Sequence, residues 1–241
     1  MIKIVCPSKG RHNQVITKRL LKEIILVVPE KEVKIYKEYN PHTEIIGCNE
    51  RGITATRQWI LKKFEEVFFV DDDLKSVRKK YIEKPTWANN EDIIDFLNED
   101  IYIAKQIGAK MIGFNQSPNP VVFSGLRLFT NTGYWNHSYV GYLKGHGLKF
   151  DTSYTEAEDY YMSCMNVYLN RYGLIDERYL FETKNPFDHT GGCTDYRTSQ
   201  DMIRNTKKLI DKFGSEIVKF KKPNKTKQNV IFGERSLHFP I

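Results

Sequence analysis

Short apolar runs and amphipathic stretches alternate through the first third of the chain. The runs "IKIVCPS" (2–8), "IILVVP" (24–29), "TEIIGC" (43–48) and "VFFV" (67–70) have the length and continuity of strands buried on both faces. Between them, a segment from about Gln14 to Lys22, "EKEVKIYKEY" (30–39) and "GITATRQWILKKF" (52–64) read as helices, the last with Trp59, Ile60 and Phe64 at helical spacing. Strand–helix alternation predicts an α/β domain whose central, mostly parallel mixed sheet is flanked by helices. Further on, "NEDIIDFLNEDIYIAKQIG" (90–108) reads as a helix ended by Gly108, and "KMIGF" (110–114) as a strand. "TEAEDYYMSCMNVYLNRYG" (155–173) reads as a helix closed by Gly173, with an apolar face of Tyr161, Cys164, Met165, Tyr168, Leu169 and Tyr172. A last helix is expected from about Ser199 to Phe213, followed by a basic tail, "KFKKPNKTKQ". Residues 115–153, rich in Asn, Gly, Ser and aromatics, read as strands and loops over a site.

The length of 241 residues fits one domain, 1–241, with a regular half (1–114) and a less regular half (115–241). No apolar run approaches the roughly 18 residues of a membrane span, and the apolar start is too short for a signal peptide. Cys6, Cys48, Cys164 and Cys193 form no CxxC pair, which predicts reduced thiols and a cytoplasmic protein. A net charge of +7 tilts the expectation toward an anionic partner and gives no sign of an obligate protein partner.

The strand "VFFV" runs directly into Asp71, Asp72 and Asp73. Ligands of open α/β sheets bind at the carboxyl ends of the strands. Three adjacent carboxylates at such an end repel one another, and a divalent cation resolves the repulsion. Mg²⁺ or Mn²⁺ takes oxygen ligands and keeps positions open for phosphate oxygens. That is the chemistry of a transferase that uses a nucleotide-diphosphate sugar. An acidic turn capping the next helix is the plainer reading.

The pieces "VCPSKGR" (5–11), "GITATRQWIL" (52–61), "FFVDDDL" (68–74), "EAED" (156–159) and "FDHTGGC" (187–193) occur in that order. Together they resemble GT-A glycosyltransferases, and more narrowly the TET-associated glycosyltransferases of bacteriophages, which add sugars to modified bases in DNA. The resemblance implies a GT-A-like (Rossmann-like) fold and a UDP-sugar donor. It places Pro7, Ser8, Arg11 and Arg57 at the nucleotide sugar. Asp73 would meet the metal and diphosphate, Asp71 the ribose or the metal, and Asp72 either. His189 would complete the metal site, its imidazole suiting Mn²⁺ better than Mg²⁺. Asp159, with Glu158 second, would be the general base that deprotonates the acceptor hydroxyl; acids in a first helical turn also serve the helix dipole.

A base in duplex DNA must be flipped out to be reached. Tyr134, Trp135 and Tyr139 are candidate stacking residues, an ordinary core position being the plainer reading for at least one of them. Lys219, Lys221, Lys222, Lys225 and Lys227 are candidate phosphate contacts. His137 and His146 have no evident role. The expected acceptor is a hydroxylated pyrimidine such as 5-hydroxymethylcytosine in phage DNA. The rival readings are a GT-A enzyme acting on a polysaccharide, protein or small molecule, a sugar nucleotidyltransferase, and a catalytically dead DNA-binding module.

Overall fold

The computed structural model describes residues 2–80, 86–115, 127–183, 199–221 and 235–239. Four of the expected strands, β1 (Lys3–Pro7), β2 (Ile25–Pro29), β3 (Glu44–Cys48) and β4 (Val67–Val70), form the parallel half of the sheet in the order β3-β2-β1-β4. Helices α1 (Val33–Tyr39) and α2 (Ile53–Lys63) supply crossovers. The other half contains β5 (Leu74–Lys79), β6 (Thr86–Trp87), β7 (Met111–Asn115), β8 (Phe129–Thr130), β9 (Tyr139–Tyr142) and β10 (Leu174–Thr183). Beyond β4 the order continues β9-β7-β10-β5-β6, with β8 paired to β10. β1, β2, β3, β4, β6, β7 and β10 run one way, and β5, β8 and β9 run against them. The expected mixed, mostly parallel sheet is therefore present.

Alternation along the strands divides the core in two. Ile4, Cys6, Phe68 and Val70 face a cluster that includes Ile93, Phe96, Leu97 and Ile101 of α3 (Asn90–Ile107). Val5, Val67 and Phe69 face a cluster with Ile60 and Leu61 of α2, Tyr161 and Met162 of α4 (Glu158–Asn170) and Leu209 of α5 (Ser199–Phe213). Both faces are covered, which is why these strands read as unbroken apolar runs. α3 starts on a capping box between Asn89 and Asp92 and ends at Gly108 in the left-handed conformation. A separate two-stranded ribbon pairs β11 (Val218–Phe220) with β12 (Arg235–Leu237). Among the described residues, no helix is long and apolar enough to cross a membrane. Cys6, Cys48 and Cys164 are buried free thiols, and Cys193 lies outside the described residues.

Two sequence expectations are corrected. The segment expected as a helix from Gln14 to Lys22 forms only a 3-10 turn, Ile16–Arg19. Val15, Ile16 and Thr17 are β-branched and disfavour helix, and the Thr17 amide is drawn elsewhere, donating to the Asp72 carbonyl. α4 is shorter than expected and ends before Arg171, which has φ 71°, so Gly173 does not close it. Its buried face is also rotated: Tyr161 and Cys164 point inward, but Tyr168 and Leu169 are exposed. Ser163 and Asn166 take inward positions because they are bonded there, Ser163 Oγ accepting from the Trp135 amide at 3.0 Å and Asn166 Nδ2 donating to the Tyr172 carbonyl at 3.2 Å.

Candidate active site

The carboxyl ends of β1 and β4, the start of β9 and the N-terminus of α4 converge on one edge of the sheet. β4 delivers Asp71–Asp73 there, as its sequence predicted. The three carboxylates have different surroundings. Asp72 is buried, accepting from Ser8 Oγ at 2.5 Å and from Arg11 Nη1 at 2.7 Å. Ser8 also bonds the Tyr36 hydroxyl at 2.8 Å, and that same oxygen accepts from the Arg11 amide at 3.1 Å. Ser8 and Arg11, expected at the nucleotide sugar, hold Asp72 in this structure. Asp72 anchors the loop.

Asp71 is half-buried. Arg57 Nη2 reaches its Oδ1 at 3.0 Å, and Ser138 Oγ donates to its Oδ2 at 2.7 Å. Its backbone is fastened as well: the amide donates to Ser138 O at 3.0 Å, and the carbonyl accepts from Thr17 Oγ1 at 2.6 Å. Thr17 Oγ1 also accepts from the Leu74 amide at 2.9 Å, so one hydroxyl staples both sides of the acidic turn.

Asp73 is the least neutralised of the three. Among the described residues, the cation that reaches it is Arg11 Nη1 at 3.6 Å, a guanidinium already bonded to Asp72. Burial, then the charges of Asp71 and Asp72, push its pKa up to about 7. Beneath the turn, burial and the same three aspartates hold the Cys6 thiol well above its ordinary pKa, so it stays protonated.

Arg57 links this turn to α4. Its side chain is 5% exposed and bonds Glu158 Oε1 at 2.5 Å, Asp71 at 3.0 Å and the His137 carbonyl at 3.1 Å. Arg57, expected at the nucleotide sugar, thus clamps Asp71 and Glu158 in this structure. Buried Glu158 is thus an ion-pair partner of Arg57, while the neighbouring Asp159 is only partly buried. Asp159 accepts from the Tyr134 hydroxyl and, at Oδ1, from the Tyr160 amide at 2.8 Å. A carboxylate has lone pairs beyond these two bonds, so Asp159 can still accept a third proton donor. Burial and the Asp159 charge hold Tyr134 well above its ordinary pKa, keeping it a donor.

Other candidates resolve differently. Trp135 is fully buried and is a core residue, correcting the expectation that it stacks on a base. It lies across Gly113 and Gly173, where an added Cβ would come within 2.7 and 2.6 Å of the indole. Tyr139 is buried too. His137 is buried with its ring bonded to Tyr142; burial and the Arg57 charge lower its pKa well below the ordinary value, so the imidazole is neutral. The His146 ring accepts from the Leu148 amide at 2.9 Å. Pro7 ends β1 beside the turn. Lys219 and Lys221 are exposed near the ribbon. His189, Lys222, Lys225 and Lys227 lie outside the described residues. Thr17, Tyr36 and Ser138 went unpredicted, because each is joined to the acidic turn only by the fold.

Among the described residues, no group of three or more His, Cys, Asp or Glu side chains is gathered as a preformed metal cradle. Mg²⁺-type ions need no such cradle, being held by one or two carboxylates together with substrate phosphates. Asp71 and Asp73 fit that requirement. With Asp72 and Glu158 they make four carboxylates against the two guanidiniums of Arg11 and Arg57.

Distant structural likenesses exist to S. aureus TarS (13% identity, 87% of this chain and 40% of that one, TM-score 0.46), A197 from STIV (11%, 77% and 86%, 0.39) and a cytidylyltransferase from Leptospira borgpetersenii serovar Hardjo-bovis (8%, 99% and 99%, 0.39). The chain thus spans 40% of the length of TarS. Likenesses this loose carry no weight for the reaction. No curated protein matches the chain by sequence. The model of the TET-Associated Glycosyltransferase family matches residues 2–169, which include β1, the acidic turn, Arg57 and the start of α4. The chain belongs to that family.

Proposed function

We propose that this glycosyltransferase moves a sugar from a UDP-linked donor, with a divalent cation at Asp71 and Asp73, to a hydroxylated pyrimidine in DNA, 5-hydroxymethylcytosine or a close relative. The observation that carries the metal and donor is Asp73. It is a half-buried carboxylate with its pKa raised to about 7 at the end of β4, beside two other acids and a guanidinium already committed to Asp72. A bound Mn²⁺ or Mg²⁺ would supply the missing positive charge and stabilise the departing diphosphate. Arg57 and Ser138 orient Asp71, and Arg11, Ser8 and Tyr36 fix Asp72 so that the turn presents Asp73.

Asp159 is the base in this reading. Its carboxylate accepts the proton of the acceptor hydroxyl as that oxygen bonds to the anomeric carbon. The bond from that carbon to the diphosphate oxygen breaks, and its electron pair leaves with the nucleoside diphosphate. Tyr134 holds Asp159, and the Arg57–Glu158 pair sets the helix that carries it. DNA as acceptor is supported by the resemblance to transferases that act on modified DNA bases, by the net charge of +7 and by exposed Lys219 and Lys221.

The test is a transfer assay with Mn²⁺, a panel of UDP-sugars and 5-hydroxymethylcytosine DNA, followed by digestion to nucleosides and mass measurement. The expected result is a mass gain of one sugar on the modified base, abolished by chelator and by Asp73→Ala with the fold retained. UDP release without mass gain in DNA would remove the acceptor. Transfer undiminished by chelator or by Asp73→Ala would remove the metal.

A further inference from the structure

The β11–β12 ribbon is tied to the start of α4 by one buried ion pair. Arg235, the first residue of β12, forks onto Glu156: Nη1 lies 3.0 Å from Oε1 and Nη2 lies 2.6 Å from Oε2. The two side chains are 5% and 7% exposed. The guanidinium also sits 5.0 Å from the centre of the Tyr160 ring, and the Tyr160 hydroxyl donates to the Arg235 carbonyl at 3.3 Å. Tyr160 packs against Tyr134, with ring centres 4.4 Å apart, and Tyr134 holds Asp159.

Between Glu156 and Glu158 lies Ala157, buried, with φ 68° and ψ 16°. A side-chain-bearing residue in this left-handed region is strained and persists only where its surroundings fix it. The surroundings here are two arginines. Arg235 grips the residue before the turn and Arg57 the residue after it. Buried ion pairs are weak devices for stability alone, because both charges lose their water. Two of them bracketing one strained residue at the head of a helix constitute a positioning device.

We propose that Arg235 is a positioning residue for the transfer reaction: through Glu156 and Tyr160 it fixes the first turn of α4, and thereby the angle at which Asp159 meets the acceptor hydroxyl. This rests on the reading of Asp159 as the base. Among the described residues the Arg235 guanidinium pairs with Glu156 and packs on Tyr160 and makes no ion pair with Asp71, Asp72 or Asp73, so the effect falls on the chemical step and leaves the nucleotide's place intact.

The test compares wild type with Arg235→Lys, which keeps the charge but cannot fork, and with the double variant Glu156→Gln, Arg235→Met, which leaves no charge buried alone. Three quantities are measured: affinity for UDP in the presence of Mn²⁺ by calorimetry, amide exchange across α4 by mass spectrometry, and kcat and donor KM in the transfer assay. The expected result is UDP affinity and donor KM within about twofold of wild type, faster exchange confined to the first turn of α4, and kcat lower by roughly 10–100-fold, the scale of a small misplacement of a reacting group. Unchanged kcat and exchange in the folded double variant would overturn the proposal. So would a fall in kcat matched by an equal loss of UDP affinity and by faster exchange throughout. Asp159→Asn separates the two readings. If it retains turnover, the base assignment fails, while the exchange pattern still decides whether Arg235 fixes the helix start.

Discussion

Replacing Arg57 by methionine is the sharpest perturbation of the site short of the aspartates. Its guanidinium is the counter-charge to Glu158 at 2.5 Å, with both side chains about 5% exposed or less, and to half-exposed Asp71 at 3.0 Å. Methionine fills similar volume but leaves Glu158 buried with its principal counter-charge gone. Removing one partner of a buried pair costs about 3–5 kcal/mol, a large share of the roughly 5–15 kcal/mol that holds a typical domain folded. The Asp71 arm contributes less, because that carboxylate reaches water; about 1 kcal/mol is the exposed-pair scale. The double variant Arg57→Met, Glu158→Gln removes the stranded charge, so only the Asp71 arm and the lost bond to the His137 carbonyl remain, together about 2 kcal/mol. Urea melts of the wild type, both single variants and the double variant complete a cycle. The expected coupling between the two sites is at least about 2 kcal/mol. The double variant should fold yet transfer sugar at least about 100-fold more slowly, because Asp71 and the α4 start are no longer joined. Additive losses in the cycle would refute Arg57–Glu158 as a coupled pair, and a folded double variant with near-wild-type turnover would refute its place in the site.

Two further outcomes test other parts of the molecule. Thr17→Val keeps the shape but removes the hydroxyl that bonds both Asp71 O and the Leu74 amide; stability should fall by roughly 1–3 kcal/mol. UDP–Mn²⁺ affinity should fall with it, and calorimetry showing unchanged affinity would free the acidic turn from this staple. Asp100 is 1% exposed on α3, and Arg178 reaches it only at 3.6 Å while its guanidinium bonds Asp176 three times at 2.8–3.1 Å. Burial and the Asp176 charge raise its pKa well above the ordinary value. The folded state therefore binds a proton that the unfolded chain releases near pH ~3.9. That contribution is complete below about pH 3.9 and is lost as pH rises through the folded pKa, at up to about 1.4 kcal/mol per pH unit. Asp100→Asn imitates the protonated acid and should be more stable than wild type at about pH 7–8, with the gap closing toward about pH 4. Parallel stability curves in denaturant melts across that range would contradict it.

The fold was legible where chemistry repeats along the chain. Strands covered on both faces must be apolar throughout, so "IILVV" and "VFFV" announced a sheet sandwiched between helices before any neighbour was known. Where a residue's partner lies far along the chain, the local pattern misled. Thr17 looked like part of an amphipathic helix, but its bonds to Asp71 and Leu74, far along the chain, hold the segment as a short turn. Ser163 and Asn166 looked like the polar face of α4, yet the Trp135 amide and the Tyr172 carbonyl draw them inward and leave Tyr168 and Leu169 outside.

The site divides the same way. Three acids after a buried strand are visible in any reading, because uncompensated charge at a strand end demands a cause. What the sequence could not rank is which acid is available. "DDD" offers three equivalent carboxylates, and only the neighbours make them unequal: Ser8 and Arg11 take Asp72, Arg57 and Ser138 orient Asp71, and Asp73 is left with a guanidinium that already serves another. The same holds for "EAED". Its three acids look alike in sequence, but Glu156 belongs to Arg235 and Glu158 to Arg57, whereas Asp159 is held by a phenol and a backbone amide. Across the two clusters Asp72, Glu156 and Glu158 are each closely paired with an arginine, Asp71 shares Arg57 with Glu158, and Asp73 and Asp159 have no arginine of their own among the described residues. Arginine content near an acidic motif is thus informative about roles only after the fold has assigned each arginine to its acid.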